Sequence, residues 1–202
     1  SKRIYVSLND LGDYIRYGVN PKYLFTYNSK KLSNNILKQI NNLMIPNHEK
    51  DYLIGVCYLS KKYFKLSDFE LTIGLKNLIK PKGRMNIINL RNGSIVIDDT
   101  YNAVCDQTII EGIKFVQSLS VKLNKKIKVV IPNMVENGIS SEMQHRNVCN
   151  FINKSGLKEI YIVGNNLEYY KKYLKVKHTS FLLANEIKFK FENDTFYYVK
   201  AT

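Results

Sequence analysis

The sequence predicts an α/β protein whose larger part is a mainly parallel sheet with helices on both faces. Three observations point there. From Met85 onward, short runs rich in Ile and Val alternate with longer helical patterns, as strand-helix-strand units require. Hydrophobic residues are 45% of the 202, enough for a sizeable core, and aromatics are 12%. Charged residues, at 24%, are as frequent as in folded globular chains rather than in disordered or fibrous ones.

The first eighty residues read unevenly. Short strands are expected over Arg3 to Ser7 and Tyr23 to Tyr27, followed by a polar stretch rich in Asn and Lys from Asn28 to Asn42. From Asp51 to Phe64, Leu53, Val56, Cys57 and Phe64 fit one helical face imperfectly. Ser67-Asp68-Phe69-Glu70 is a capping box that opens a second helix, which ends before Pro81. Phe69, Leu71, Ile73, Leu75, Leu78 and Ile79 occupy much of its circumference, the pattern of a helix covered on more than one side.

At Pro81-Lys82-Gly83 the texture changes, and a domain boundary is expected there, separating a small α/β remnant over 1–80 from a domain over 81–202. Strands are expected over Met85 to Leu90 and Ser94 to Asp98. Arg91-Asn92-Gly93 joins them, its Asn-Gly pair tolerating the positive φ of a tight turn. A helix over Asp106 to Leu123 carries the stripe Ile109, Ile113, Val116, Leu119 and Leu123. Then come a strand over Lys126 to Ile131, a helix over Ser141 to Asn153, a strand over Glu159 to Val163 and a short helix near Leu167 to Tyr173. Terminal strands are expected near Ile187 to Phe191 and Phe196 to Val199.

Lys and Arg number 31 against 17 Asp and Glu, a formal net charge of +14. Such a surplus attracts anionic partners, nucleic acid and phosphorylated small molecules among them. Only Arg3, Arg16, Arg84, Arg91 and Arg146 are guanidinium groups, however, and the abundance of Lys beside Asn, Ile and Tyr reads first as compositional bias. Cys57, Cys105 and Cys149 are far apart, odd in number and without CxxC spacing, so a reducing, cytoplasmic setting is expected. No apolar run approaches a membrane span and no signal peptide opens the chain.

In open α/β sheets, ligands gather outside the carboxyl ends of the strands. Three such places stand out. Ser94-Ile95-Val96-Ile97 delivers Asp98-Asp99-Thr100-Tyr101-Asn102-Ala103 into a loop, where two carboxylates, a hydroxyl and an amide can bind a sugar, an amine or a metal-bound water, or can simply cap the next helix. Ile131-Pro132-Asn133-Met134-Val135-Glu136-Asn137-Gly138 is a turn-rich loop with His145 on the following helix. Val163-Gly164-Asn165-Asn166 closes a third strand, its Gly permitting a turn. No Walker A cradle, G-x-G-x-x-G, H-E-x-x-H or G-x-S-x-G occurs in the 202 residues.

Taken in order, Gly83-Arg84-Met85-Asn86, then Ser94 to Ala103 with its IDDTYNA core, then Asn133-Met134-Val135-Glu136-Asn137-Gly138 with His145, resemble the C-terminal domain of the Mur ligase family. The resemblance is nearest to the branch that joins D-alanyl-D-alanine to a UDP-N-acetylmuramoyl-tripeptide, and Tyr198-Val199-Lys200-Ala201-Thr202 resembles its VKGS-type final strand. Upstream, Ser7-Leu8-Asn9-Asp10 and Asn47-His48 resemble pieces of that family's central, ATP-binding domain.

The resemblance implies a Rossmann-like sheet and an ATP- and Mg²⁺-dependent amide ligase of cell-wall precursor synthesis, which activates a carboxylate as an acyl phosphate for attack by an amine. It implies that Arg84 contacts ATP phosphates and Asp99 the ribose. It also places Tyr101, Asn102, Glu136, His145 and Lys200 near the amino substrate or the closing interface. The sequence departs from the family in its missing P-loop, in Glu49 and Asp51 where Asn is expected after His48, and in Val104-Cys105 where Asn-Pro is expected. The expectation is half an active site, not competent alone and needing a P-loop-containing remainder. The alternative is a Mur-ligase-derived binding or structural module in a larger protein or ribonucleoprotein assembly.

Overall fold

The computed structural model describes residues 4–7, 24–27, 31–101, 105–134, 138–164, 167–181, 186 and 190–200. The chain divides into two compact units, Ser1–Ile79 and Lys80–Thr202.

In the first unit β1 (Ile4–Ser7) and β2 (Leu24–Tyr27) pair in parallel. Three helices follow: α1 (Asn34–Asn42), α2 (Asn47–Phe64) and α3 (Asp68–Lys76). The first of them falls in the stretch read from sequence as merely polar. Its buried residues are Ile36 and Ile40, one turn apart, while Ser33 caps it by accepting from the Ile36 N–H. Its three apolar residues, Ile36, Leu37 and Ile40, lie within five positions between two Asn pairs, a stripe little more than one turn long that a sequence window overlooks. α2 begins at Asn47, ahead of the expected Asp51, and its Gly55 lets the Tyr27 ring lie on the helix: a Cβ there would meet the ring at 2.9 Å. The capping box forms as its residues require. Ser67 Oγ accepts from the Glu70 N–H at 3.3 Å, and the Ser67 N–H donates to Glu70 Oε2 at 2.7 Å. Leu32, Ile36, Ile40, Cys57, Tyr58, Leu71 and Leu75 make the core of this unit.

The second unit contains β3 (Asn86–Asn89), β4 (Ile95–Asp99), α4 (Asp106–Leu123), β5 (Lys126–Pro132), α5 (Ser141–Lys154), β6 (Ile160–Val163), α6 (Glu168–Tyr173), β7 (His178–Phe181) and β8 (Thr195–Lys200). The sheet order is β3-β4-β8-β5-β6-β7, with every neighbouring pair parallel except antiparallel β3-β4. It is a mixed, mostly parallel α/β sheet. β8 sits centrally between β4 and β5, and Thr195, Phe196, Tyr197 and Tyr198 are all buried, which accounts for a run without polar alternation. β7 is a strand that the sequence reading lacks, because His-Thr-Ser-Phe alternates too weakly to stand out. Of the strand expected near Ile187 to Phe191, residues 187–189 lie outside the described residues, and Lys190 and Phe191 are irregular.

One face of the sheet carries the main core. Ile97, Phe196, Tyr198, Val129, Ile131, Ile160 and Ile162 pack against Ile109, Ile113 and Val116 of α4, Val148, Cys149 and Ile152 of α5, and Tyr170 of α6. Among the described residues the second unit's helices α4, α5 and α6 all pack on that face, rather than on both as the sequence reading has it, the side to which right-handed crossovers running one way along a sheet lead. On the other face, buried Lys128 donates to Glu192 at 2.5 Å and pairs with Glu159 at 2.8 Å, and Tyr197 Oη accepts from the Glu192 N–H at 2.7 Å. Because β4, β8, β5 and β6 run parallel, Asp99, Lys200, Pro132 and Val163 end together at one edge of the sheet. Antiparallel β3 starts at that same edge, with Asn86 opposite Asp98, so Arg84 arrives there as well.

Candidate functional site

Strand alternation separates the two adjacent carboxylates. Asp98 stays near the surface, where its Oδ1 accepts from the Thr100 N–H at 3.2 Å and from Thr100 Oγ1 at 2.7 Å, closing a local turn. Asp99, expected to reach a ribose, turns inward on the helix side of the sheet instead. Its Oδ2 accepts from Lys200 Nζ at 2.8 Å and from Tyr198 Oη at 3.0 Å. The side chains of Lys200 and Asp99 are only 6% and 10% exposed. The physical reason is register: Ile97 and Asp99 share one face of β4, Tyr198 and Lys200 share the same face of β8, and Asp99 lies directly opposite Lys200. Gly112 of α4 makes room, since a Cβ there would stand 2.0 Å from Tyr198 Oη. Burial and the neighbouring Asp99 carboxylate push the Tyr198 phenol well above its ordinary value, so it acts as a hydrogen-bond donor.

At the surface of the same edge, Arg84 and Tyr101 meet. The guanidinium lies 3.8 Å from the centre of the Tyr101 ring, and both residues are exposed, Tyr101 to 58%. The backbone joins the same segments, the Tyr101 N–H donating to the Gly83 carbonyl at 2.9 Å. Gly83 has φ +71, and a Cβ there would stand 2.8 Å from the Tyr101 nitrogen, so only glycine fits.

His145, on the first turns of α5, is buried to 1% exposure. Its Nδ1 lies 2.7 Å from the Ser141 carbonyl, which can only accept, so Nδ1 carries the proton. Nε2 then accepts from the Met134 N–H at 3.2 Å. Asn133 Oδ1 lies 3.0 Å from the same nitrogen, which closes the ring in from the β5 side. Burial pulls the His145 pKa below the ordinary histidine value, in keeping with a neutral ring packed between Tyr169 and Tyr170. The ring pins the end of β5 to α5 and offers no free nitrogen. Asn102 and Glu136 lie outside the described residues.

The structure thus brings the seven candidates together only in part: Arg84 with Tyr101 outside, Asp99 with Lys200 inside, and His145 in a closed network of its own. Tyr198 and Asn133 stand in the sequence analysis only as members of longer motifs, with no role assigned, and Gly112 is not singled out there. A glycine in mid-helix is a signal of close approach, and Gly112 could have been read as one. Gly164 has a similar role at φ +139, where a Cβ would meet Asn133 Cβ at 2.5 Å. A cleft of about 460 Å³ lined by Gln117, Lys125, Lys126, Leu157, Lys158 and Glu159 lies at the opposite edge, before β5 and β6 begin. The buried Cys149 thiol is pushed up to about 12 and Cys57 is raised by burial, so neither serves as a thiolate nucleophile at neutral pH. Among the described residues no group of three His, Cys, Asp or Glu could hold a metal ion, and no helix is long and apolar enough to cross a membrane.

This architecture is a Mur ligase-like fold. MurF from Acinetobacter baumannii superposes with a TM-score of 0.62 and 21% identity, over 78% of this chain and 35% of that one. MurF ligase from Thermotoga maritima, solved in complex with ADP, gives 0.58 and 18% over 75% and 35%. UDP-N-acetylmuramate-alanine ligase MurC from Thermotoga maritima gives 0.58 and 14% over 78% and 35%. The chain therefore spans about a third of the length of the solved structures it matches. No protein family and no curated protein matches it by sequence.

Proposed function

We propose that the chain contributes the C-terminal-domain half of an ATP-dependent amide ligase of the Mur type, its second unit being that domain and its first unit part of an ATP-binding central domain. The observation that carries this reading is Arg84, held exposed over Tyr101 at the carboxyl ends of the parallel strands, in a chain whose fold is similar to that of MurF and MurC. A guanidinium without a carboxylate partner among the described residues suits a phosphate oxygen. The presence of ADP in one similar structure supports a nucleotide as the ligand.

In such a ligase the γ-phosphoryl group of ATP passes to a carboxylate with release of ADP, and an amino substrate such as D-alanyl-D-alanine attacks the acyl phosphate, forming the amide and expelling inorganic phosphate. In this chain Arg84 neutralises phosphate charge, Tyr101 lies beside it, and the Asp99-Lys200-Tyr198 cluster holds β4 and β8 rigid beneath them. The ribose assignment of Asp99 does not fit its buried ion pair. A P-loop comes from outside these 202 residues, and ATP with three free thiols fits a cytoplasmic setting.

A second reading, a Mur-ligase-derived binding module that has left the chemistry behind, is favoured by the closure of Asp99 and His145 in structural networks. Calorimetry with ATP and Mg²⁺ on the chain, Arg84→Ala and Asp99→Ala separates the two. Binding lost with Arg84→Ala supports the ligase half, and absence of binding to millimolar ATP supports the module.

A further inference from the structure

The Arg84 side chain is one of the few cations at this edge without an acidic partner among the described residues, and its surroundings fix its direction. Gly83 before it has φ +71 and is pressed against Tyr101. Met85 after it has φ +52, a conformation unfavourable for a side chain with a Cβ, yet it is only 4% exposed and anchored in the main core. The Arg84 N–H is itself taken by Asn86 Oδ1 at 3.1 Å. Two left-handed residues thus bracket Arg84, one tied to the β4 loop and the other to the core, and the guanidinium carbon lies over the Tyr101 ring, 3.8 Å from its centre. Strained backbone persists where surrounding contacts over-determine it, and here the strain serves the placement of one exposed cation.

We infer that Tyr101 is a positioning residue: its ring holds the Arg84 guanidinium pre-oriented, edge outward, to accept a polyphosphate at the carboxyl end of β4. The inference rests on the ligase reading and deepens it. It moves Tyr101 from an amino-substrate contact to the phosphate side. A guanidinium stacked by its face keeps its N–H edge free for phosphate oxygens, and the ring limits the rotamers that binding must otherwise freeze.

The test uses the whole chain with Mg·ATP and inorganic tripolyphosphate as probes, in wild type, Tyr101→Phe, Tyr101→Leu and Arg84→Ala. Calorimetry gives the affinities, and ¹⁵N NMR of the Arg84 Nε–H reports the stack through the upfield shift that the ring face imposes. Expected are an upfield Arg84 signal in wild type and Tyr101→Phe, its loss in Tyr101→Leu, and affinity for both probes about 2- to 5-fold weaker in Tyr101→Leu but restored in Tyr101→Phe. Arg84→Ala weakens binding about 10-fold or more. Wild-type affinity in Tyr101→Leu, with Arg84→Ala still weak, overturns the positioning role and leaves the ligase reading standing. No binding of either probe by wild type, or none lost in Arg84→Ala, overturns both.

Discussion

Lys200→Met tests the central claim about the site, that Asp99 is a structural anion rather than an open ligand. The two side chains are 6% and 10% exposed and 2.8 Å apart, so removing the ammonium leaves a buried carboxylate whose remaining side-chain donor among the described residues is Tyr198 Oη. Breaking one side of such a pair costs about 3–5 kcal/mol. An internal control in the same unit is the Lys114–Glu111 pair of α4, whose side chains are 51% and 26% exposed; Lys114→Met should cost about 0–1 kcal/mol. Native-state hydrogen exchange at the β8 amides reads the second unit directly, and a loss of about 3–5 kcal/mol corresponds to about two to four powers of ten in exchange rate. The double variant Asp99→Asn with Lys200→Met should recover at least half of the loss, since neither charge is then stranded. A cost below about 1 kcal/mol for Lys200→Met, the same as for the surface control, would refute the reasoning.

Gly112→Ala should lower the melting temperature. Helix propensity alone favours Ala by about 1 kcal/mol, but the Cβ would stand 2.0 Å from Tyr198 Oη and 2.6 Å from Cζ, and overpacking of about 1–3 kcal/mol outweighs the gain; a rise in melting temperature sinks the packing account. His145 makes stability pH-dependent. Its folded pKa is depressed by burial, so the unfolded chain binds the proton more readily, and stability present above the ordinary histidine pKa is lost as pH falls below about 6.5. Urea midpoints at neutral and mildly acidic pH should separate more in wild type than in His145→Gln, and equal separations count against it. Ser67→Ala should weaken α3 by about 0.5–2 kcal/mol, read as faster exchange of the Leu71 amide, and unchanged exchange denies the cap its role.

What the sequence made legible follows from the strength of its local signals. The capping box at Ser67, the stripe on α4 and the Asn-Gly turn between β3 and β4 are short-range patterns, and each has its element in the structure. α1 was hidden because two buried isoleucines among Asn, Lys and Gln carry little periodicity. β7 was hidden because it is a strand at the end of the sheet order, with Thr179 and Ser180 exposed, held by backbone pairing to β6 rather than by buried apolar side chains of its own. The candidate residues were legible as a set but not their roles. Asp98 and Asp99 look equivalent in sequence, and only the pleat sends one to a surface turn and the other inward to Lys200, 101 residues away. Tyr198 looked like ordinary strand aromatic content until Gly112 and Asp99 were seen around it.

The buried pair also decides where a nucleotide could be held. For Asp99 to reach a sugar hydroxyl, its carboxylate must leave Lys200 and Tyr198 and strand a buried ammonium, at a cost of about 3–5 kcal/mol. A hydrogen bond from a hydroxyl to a charged group returns about 1.5–3 kcal/mol. The exchange is unfavourable by itself, so opening the cluster would need further binding energy from elsewhere on the ligand. Arg84 faces no such trade. It is already exposed, has no acidic partner among the described residues, and a phosphate oxygen costs it only loosely held water. The edge of the sheet therefore favours recognition through phosphate over recognition through sugar. Tripolyphosphate should then retain most of the Arg84-dependent part of the affinity shown by ATP, whereas adenosine should retain none of it.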